Sequence, residues 1–287
     1  MRVLLAVDGS EHSNRATEAV RSLASVSSLT ILHVIDQPRL TYPMIGPEIA
    51  KDLAMTVEQA MRAEGKQVLT RTLSRLSTHA TAVEKRLEEG MPAEMICSVA
   101  KEVQADLILM GARGVGQIQE LVVGSVSHRV LTGAPCPVVI IKSPLAEIKK
   151  ILLPLQEIED VRRVKRLLAN HPFPAQVTIT VFTVVPIPRS IFRAGVSAPE
   201  SKMQQALESA ETFIDKTVDE LKTTSYAVTG LVGMGAPAAT ILEQETETKP
   251  DLIMMGIHHP PAISQVVLGS VSHTVLHRST CPILLFR

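Results

Sequence analysis

The residues most able to do chemistry lie in two short glycine-bearing segments. Gly111-Ala112-Arg113-Gly114 follows an apolar run, and nine residues intervene before Gly124-Ser125. Glycines at a strand exit let backbone amides approach a ligand where a Cβ would obstruct. Ser125 is expected to cap a helix beginning there, and the unpaired N–H groups of a helix start carry partial positive charge. Together these make a cradle for phosphate oxygens, to which Arg113 would add charge. Plain turns and a helix cap account for the spacing equally well. Other phosphate loops fit worse: no G-x-x-x-x-G-K-[ST] occurs, and Gly114-Val115-Gly116 begins a G-x-G-x-x-G that ends in Gln119.

Such a loop needs a strand before it and a helix behind it. Residues 2–7 form a β-rich run, and Ala16, Ala19, Val20, Leu23 and Ala24 then recur at helical spacing. Leu29–Ile35 reads as a second strand. Residues 47–76 read as helix with a break near Gly65, and 51–66 as an amphipathic surface stretch. A weaker third strand is expected at Val83–Leu87, with a helix after Gly90-Met91-Pro92. Leu107–Met110 and Val138–Ile141 complete the set, with a helix at about 125–132 between them. Short apolar strands alternating with helices imply a parallel sheet covered on both faces.

The pattern occurs twice. Residues 121–131 align with 266–276 at an offset of 145, with eight of the eleven positions identical. The same offset pairs Gly90-Met91-Pro92 with Gly235-Ala236-Pro237, Asp106 with Asp251, and Cys136-Pro137 with Cys281-Pro282. Near the starts, Val3-Leu4-Leu5 pairs with Ile151-Leu152-Leu153 at an offset of 148. A duplicated domain follows, with boundaries at 1–143 and 148–287 and a short join near Ser143-Pro144. Strands in the second half are expected near 150–155, 178–185, 226–232, 251–255 and 282–286.

Composition narrows the function classes. With 29 basic and 29 acidic residues, no general electrostatic attraction to nucleic acid or anionic membrane is expected. Trp is absent, which leaves few stacking platforms for single strands. No apolar run approaches the length of a membrane span, and the start of the chain does not read as a signal peptide. Three widely spaced cysteines, Cys97, Cys136 and Cys281, suit a reducing cytoplasm; Cys136 and Cys281 read as small core residues at strand starts, and Cys97 lies on the apolar side of a helix with no base paired to it. His258-His259 would point in different directions on regular backbone, so neither a metal site nor a catalytic set is assigned.

The pattern Gly111-x2-Gly114-x9-Gly124-Ser125, with Val7-Asp8-Gly9-Ser10 closing the first strand, resembles the universal stress protein family in each half of the chain. That resemblance implies two open five-stranded parallel sheets of order 3-2-1-4-5, an adenine nucleotide alpha hydrolase-like α/β fold. It also implies an ATP site, with Asp8 at the adenosine end and Val34 offering backbone groups to adenine. Ribose and phosphates would lie along Gly111, Arg113, Gly114, Gly124, Ser125 and Val126, with Mg²⁺ as accompanying cation. Strand order reverses between the first and fourth strands, where ligands of open α/β sheets bind. The resemblance further implies a stress-response or regulatory role, with slow ATP hydrolysis or a nucleotide-free scaffold as alternatives. Apolar fifth strands at the sheet edges need covering. They are expected to pair the halves as an intramolecular pseudo-dimer, leaving a further homodimer open.

The second half serves as an internal control. Gln156 stands where Asp8 stands, and His258-His259-Pro260-Pro261 replaces the sequence from Arg113 onward, although Gly256, Gly269 and Ser270 survive. A side chain at 259 would crowd a phosphate and two prolines remove two amide donors. The second half is therefore expected to bind nucleotide weakly or not at all. His128 lies three residues after Ser125, but its counterpart His273 persists in the broken half, so His128 reads as structural.

Overall fold

The structure is a computed structural model that describes the chain except for residues 37–46, 77–79, 115–122, 188–199, 223 and 258–267. The first half runs β1 (Arg2–Ala6), α1 (Glu11–Ala19), β2 (Ser28–Ile35), α2 (Pro47–Arg75), β3 (Ala82–Glu89), α3 (Pro92–Glu102), β4 (Leu107–Gly111), α4 (Ser125–Gly133) and β5 (Val138–Ile141). The second runs β6 (Lys150–Pro154), α5 (Ile158–Leu168), β7 (Thr178–Pro186), α6 (Glu200–Leu221), β8 (Ala227–Gly235), α7 (Pro237–Thr248), β9 (Leu252–Gly256), α8 (Ser270–Arg278) and β10 (Ile283–Phe286).

Central strands are apolar at consecutive positions because helices cover both faces of the sheet. Along β1, Val3 and Leu5 enter one core with residues of α1, α2, α5 and α6. Leu4 and Ala6 enter the other, with residues of α3, α4, α7 and α8. Both Leu4 and Leu5 are fully buried, each contributing on the order of 1.5–3 kcal/mol by leaving water.

Each half has the strand order 3-2-1-4-5. The two sheets join into one ten-stranded sheet, β3-β2-β1-β4-β5-β10-β9-β6-β7-β8. The join is antiparallel, Ile283 facing Ile140 and Leu285 facing Val138, while all other neighbours are parallel. The apolar fifth strands thus cover one another, which removes two exposed edges.

Reciprocal contacts lock this seam. Lys142, after β5, donates through Nζ to the carbonyls of Leu276 and Ser279 at the end of α8. Arg287, after β10, donates to Leu131 O at 2.6 Å, near the end of α4. A cation at a helix C-terminus meets partial negative charge and otherwise unpaired carbonyls. Burial pulls the Lys142 ammonium down to about 8. The His128 ring meets His273 edge-on across the seam, at 6.2 Å between centroids.

Two sequence expectations change here. α2 continues unbroken through Gly65 over 29 residues. Gly65 is buried, and a Cβ there would lie 2.7 Å from Leu87 Cδ1 and 2.9 Å from His33 Cδ2. The glycine lets α2 sit close on β2 and β3. The third strand spans Ala82–Glu89, longer than Val83–Leu87, because eight residues pair in register with β2.

Candidate functional site

β1 and β4 are neighbours, and the chain leaves them in opposite lateral directions, so a crevice opens beyond their carboxyl ends. Two turns from distant parts of the sequence meet there.

The first turn is Asp8-Gly9-Ser10. Gly9 has φ of 80°, a left-handed conformation that strains any side chain, and a Cβ would also approach Val68 Cγ2 to 3.1 Å. That turn lets Ser10 N–H donate to Asp8 Oδ1 at 3.0 Å, while Asp8 N–H donates to Ser13 Oγ at 3.2 Å. Ser10 is the N-cap of α1, its hydroxyl oxygen accepting from Ser13 N–H. The same hydroxyl donates to Arg113 O at 3.2 Å and ties the first turn to the second. Asp8 is therefore held at its carboxylate by Ser10 and at its backbone by Ser13.

The second turn is Gly111 to Gly114, with its return at Gly124. Ala112 N–H donates to Ile141 O, and Gly124 N–H donates to Ala112 O at 2.8 Å. Ser127 Oγ lies 3.0 Å from Gly111 O and 3.2 Å from Ala112 O, so the start of α4 is fastened to the loop. Gly124 is the N-cap of α4 and no side chain caps it. The first-turn N–H groups thus keep their partial positive charge at the crevice.

The expected cap at Ser125 is corrected by this geometry. Ser125 is the first helical residue, and the N-cap is Gly124 at φ −64° and ψ 158°, a conformation open to any residue.

The glycines also do different jobs. A Cβ on Gly111 would strike the backbone of His12, 2.6 Å from its carbonyl carbon, so its bareness seats α1 on β4. This adds a packing reason to the sequence reading, in which Gly111 makes room for a ligand. A Cβ on Gly114 would lie 2.5 Å from Asp8 Oδ2. At Gly124 the nearest atom among the described residues, its chain neighbours aside, would be Ala112 O at 3.4 Å, an ordinary contact. Among the described residues, two glycines of the pattern are thus set by the protein's own packing, whereas Gly124 is not.

All eight expected site residues, Asp8, Val34, Gly111, Arg113, Gly114, Gly124, Ser125 and Val126, line a single cavity of about 990 Å³. That is the upper range of small-molecule sites. Its apolar part includes Val34, Pro92 and Ile96, with Met61 and Val68 from α2. Its acidic groups are Asp8, Asp36 and Glu64, against Arg113.

Sequence reasoning missed the contribution of α2. Met61, Glu64 and Val68 are three and four residues apart, so they share one helix face; nothing local said which strand ends that face would overhang. Ser10 and Ser13 were also missed, although a Ser three residues before another donor at a helix entry is a capping signal.

The remaining candidates lie elsewhere. His128 is not among the lining residues. Burial raises the pKa of all three thiols, Cys136 to about 12, so each is held protonated and unreactive. His258-His259 and the prolines after them lie outside the described residues. Among the described residues no group of three or more His, Cys, Asp or Glu side chains is arranged to hold a metal ion. No helix of these residues is long and apolar enough to cross a membrane.

The family model for the universal stress protein family matches residues 1–142 and again residues 147–287. The chain belongs to this family. It is a tandem universal stress protein, with one domain in each half. Its first curated relatives are single-domain in length. The Bacillus subtilis universal stress protein YxiE is 32% identical over 148 residues, which cover 49% of this chain and 98% of that one. A Thermus aquaticus universal stress protein is 31% identical over 140 residues, covering 49% and 97%. Among solved structures, a universal stress protein from Archaeoglobus fulgidus covers 100% of this chain and 96% of its own, with a TM-score of 0.68 at 20% identity. A putative universal stress protein from Pseudomonas aeruginosa covers 99% and 92%, with a TM-score of 0.63 at 15% identity. At those identities the likeness concerns the fold.

Proposed function

We propose that the first domain binds ATP with Mg²⁺ in the crevice between β1 and β4, and that the protein acts as a nucleotide-dependent regulator in stress responses. One observation carries the reading. Residues about a hundred positions apart, Asp8 and the segment Gly111 to Val126, converge on one cavity at the point where strand order reverses.

The residues present suit the ligand. The apolar side chains of Val34, Met61, Val68 and Ile96 would receive a purine, and the uncapped start of α4 would receive phosphate oxygens. Three carboxylates against one guanidinium would oppose a bare polyphosphate, which is why a divalent cation belongs in the proposal. Among these lining side chains no lysine is available to stabilise charge developing in phosphoryl transfer, so binding rather than turnover is the function assigned. Location in the cytoplasm and absence of nucleic-acid or membrane partners belong to the same proposal.

Calorimetric titration of the whole chain with Mg²⁺ and ATP tests it. About one nucleotide per chain is expected, with affinity reduced tenfold or more, about 1.4 kcal/mol, by Asp8→Ala and by Gly114→His. The second change drives a side chain into the Asp8 carboxylate. No binding by the wild type, or unchanged affinity in both variants, would refute the assignment.

A further inference from the structure

The ten-stranded sheet ends in two equivalent edges, β3 and β8, and they differ in kind. β3 carries Glu84, Lys85, Arg86, Glu88 and Glu89 within its eight residues. Such charge along an edge discourages strand addition. β8, nine residues long, reads Ala-Val-Thr-Gly-Leu-Val-Gly-Met-Gly and holds no charge and no proline. Leu231 and Met234 are 36% and 41% exposed. β8 pairs with β7 on one side and is the last strand of the sheet on the other.

The orientation of the unpaired groups can be derived. Gly235 O accepts from Ile187 N–H, so Gly235 directs its backbone groups toward the β7 side. Alternate residues do the same, which leaves the N–H and C=O groups of Val228, Gly230, Val232 and Met234 pointing outward from the sheet. Among the described residues nothing pairs with these four, and they present an open ladder.

We infer that β8 is a self-association edge, at which two copies of this chain pair antiparallel about a two-fold axis and extend the sheet. Three observations favour a second copy over a different strand. A two-fold centred on Leu231 overlaps the entire strand, setting Val228 opposite Met234 and Gly230 opposite Val232. All four outward-pointing residues then fall in the hydrogen-bonded positions, for about eight inter-chain bonds. Leu231 meets its own copy at a non-hydrogen-bonded position, where opposed side chains come closest. An uncharged strand also finds its complement in another uncharged strand, whereas the β3 edge would set five charges against it. Finally, the chain already joins two sheets by antiparallel pairing of apolar edge strands, at β5 and β10. The inference concerns the second domain and does not rest on nucleotide binding.

Sedimentation equilibrium on the full chain, with and without substitutions, tests it. A dimer that dissociates on dilution is expected. Leu231→Lys and Met234→Lys should each raise the dissociation constant tenfold or more, while Val83→Lys on the opposite edge leaves it unchanged. A wild type that stays monomeric at every concentration, or a dimer indifferent to both β8 lysines, overturns the inference. Should the lysine variants fail to fold, hydrogen exchange on the wild type decides. Protection of residues 227–235 must rise with protein concentration, and exchange independent of concentration overturns the inference as well.

Discussion

The two halves solve the same problem, leaving the first strand and entering the first helix, with different residues. In the first half Asp8-Gly9-Ser10 makes a left-handed turn, caps α1 through Ser10 and ties the turn to Arg113 O. In the second half Glu157 precedes α5 in an extended conformation, at φ −133° and with no side-chain cap, and Ile158, the first helical residue, is 60% exposed. The helix starts that would face a ligand diverge too. Ser127 Oγ fastens α4 to the carbonyls of the glycine loop, whereas its counterpart Ser272 turns back to Gly269 O. Both halves fold to the same strand order without sharing these contacts. The contacts confined to the first half are therefore not required by the fold and mark a specialised crevice.

Three experiments probe this difference, in order of expected effect. Gly111→Val should be the most damaging, because its side chain meets the backbone of His12 rather than a movable side-chain tip. A cost of about 1–3 kcal/mol or more is expected from such overpacking, read by chemical denaturation. A neutral effect would mean that α1 does not sit on β4 as described. Removing the cap by Ser10→Ala should cost about 1 kcal/mol, and supplying one by Glu157→Ser should recover a similar amount in the second half. Equal and opposite shifts in denaturation midpoint would sharpen the contrast; a silent Ser10→Ala would erase it.

The smallest effect concerns the seam. His277 stands where the first half has Thr132, and its ring centroid lies 4.3 Å from that of His273. Burial first, then the neighbouring His273, His128 and Lys142, lowers the pKa of His277 below the ordinary 6.5. The unfolded chain therefore binds this proton more readily than the folded one. Stability should be full above pH 6.5 and decline as pH falls below it. His277→Gln should flatten that decline in melts recorded from pH 7 to 5, and an unchanged slope would show that His277 contributes nothing to it.

Much of this was legible in the sequence because strong local signals agreed with the tertiary outcome. Fully apolar runs such as Leu107–Met110 can only be strands covered on both sides, and the repeat offset placed each strand a second time. Apolar fifth strands announced their need for a cover. Where the reading fell short, a glycine had more than one physical use. Gly65 looked like a helix break and is a contact with Leu87 and His33. Gly111 read as an opening for ligand and is also the seat of α1. Gly124 took the capping place expected of Ser125. Propensity and spacing identify where backbone must be bare, but the atom that demands it comes from another part of the chain. The overhang of Met61, Glu64 and Val68 was hidden for the same reason.

The antiparallel seam has one more consequence. Strands of the two halves run in opposite senses across it, so the carboxyl ends of the first domain share a rim of the sheet with the amino ends of the second. The strand starts at Lys150 and Thr178, where a smaller hollow of about 340 Å³ lies, belong to the same rim as the crevice at Asp8, with β5, β10 and β9 standing between them. Each rim of the sheet consequently carries strand ends of one domain and strand starts of the other.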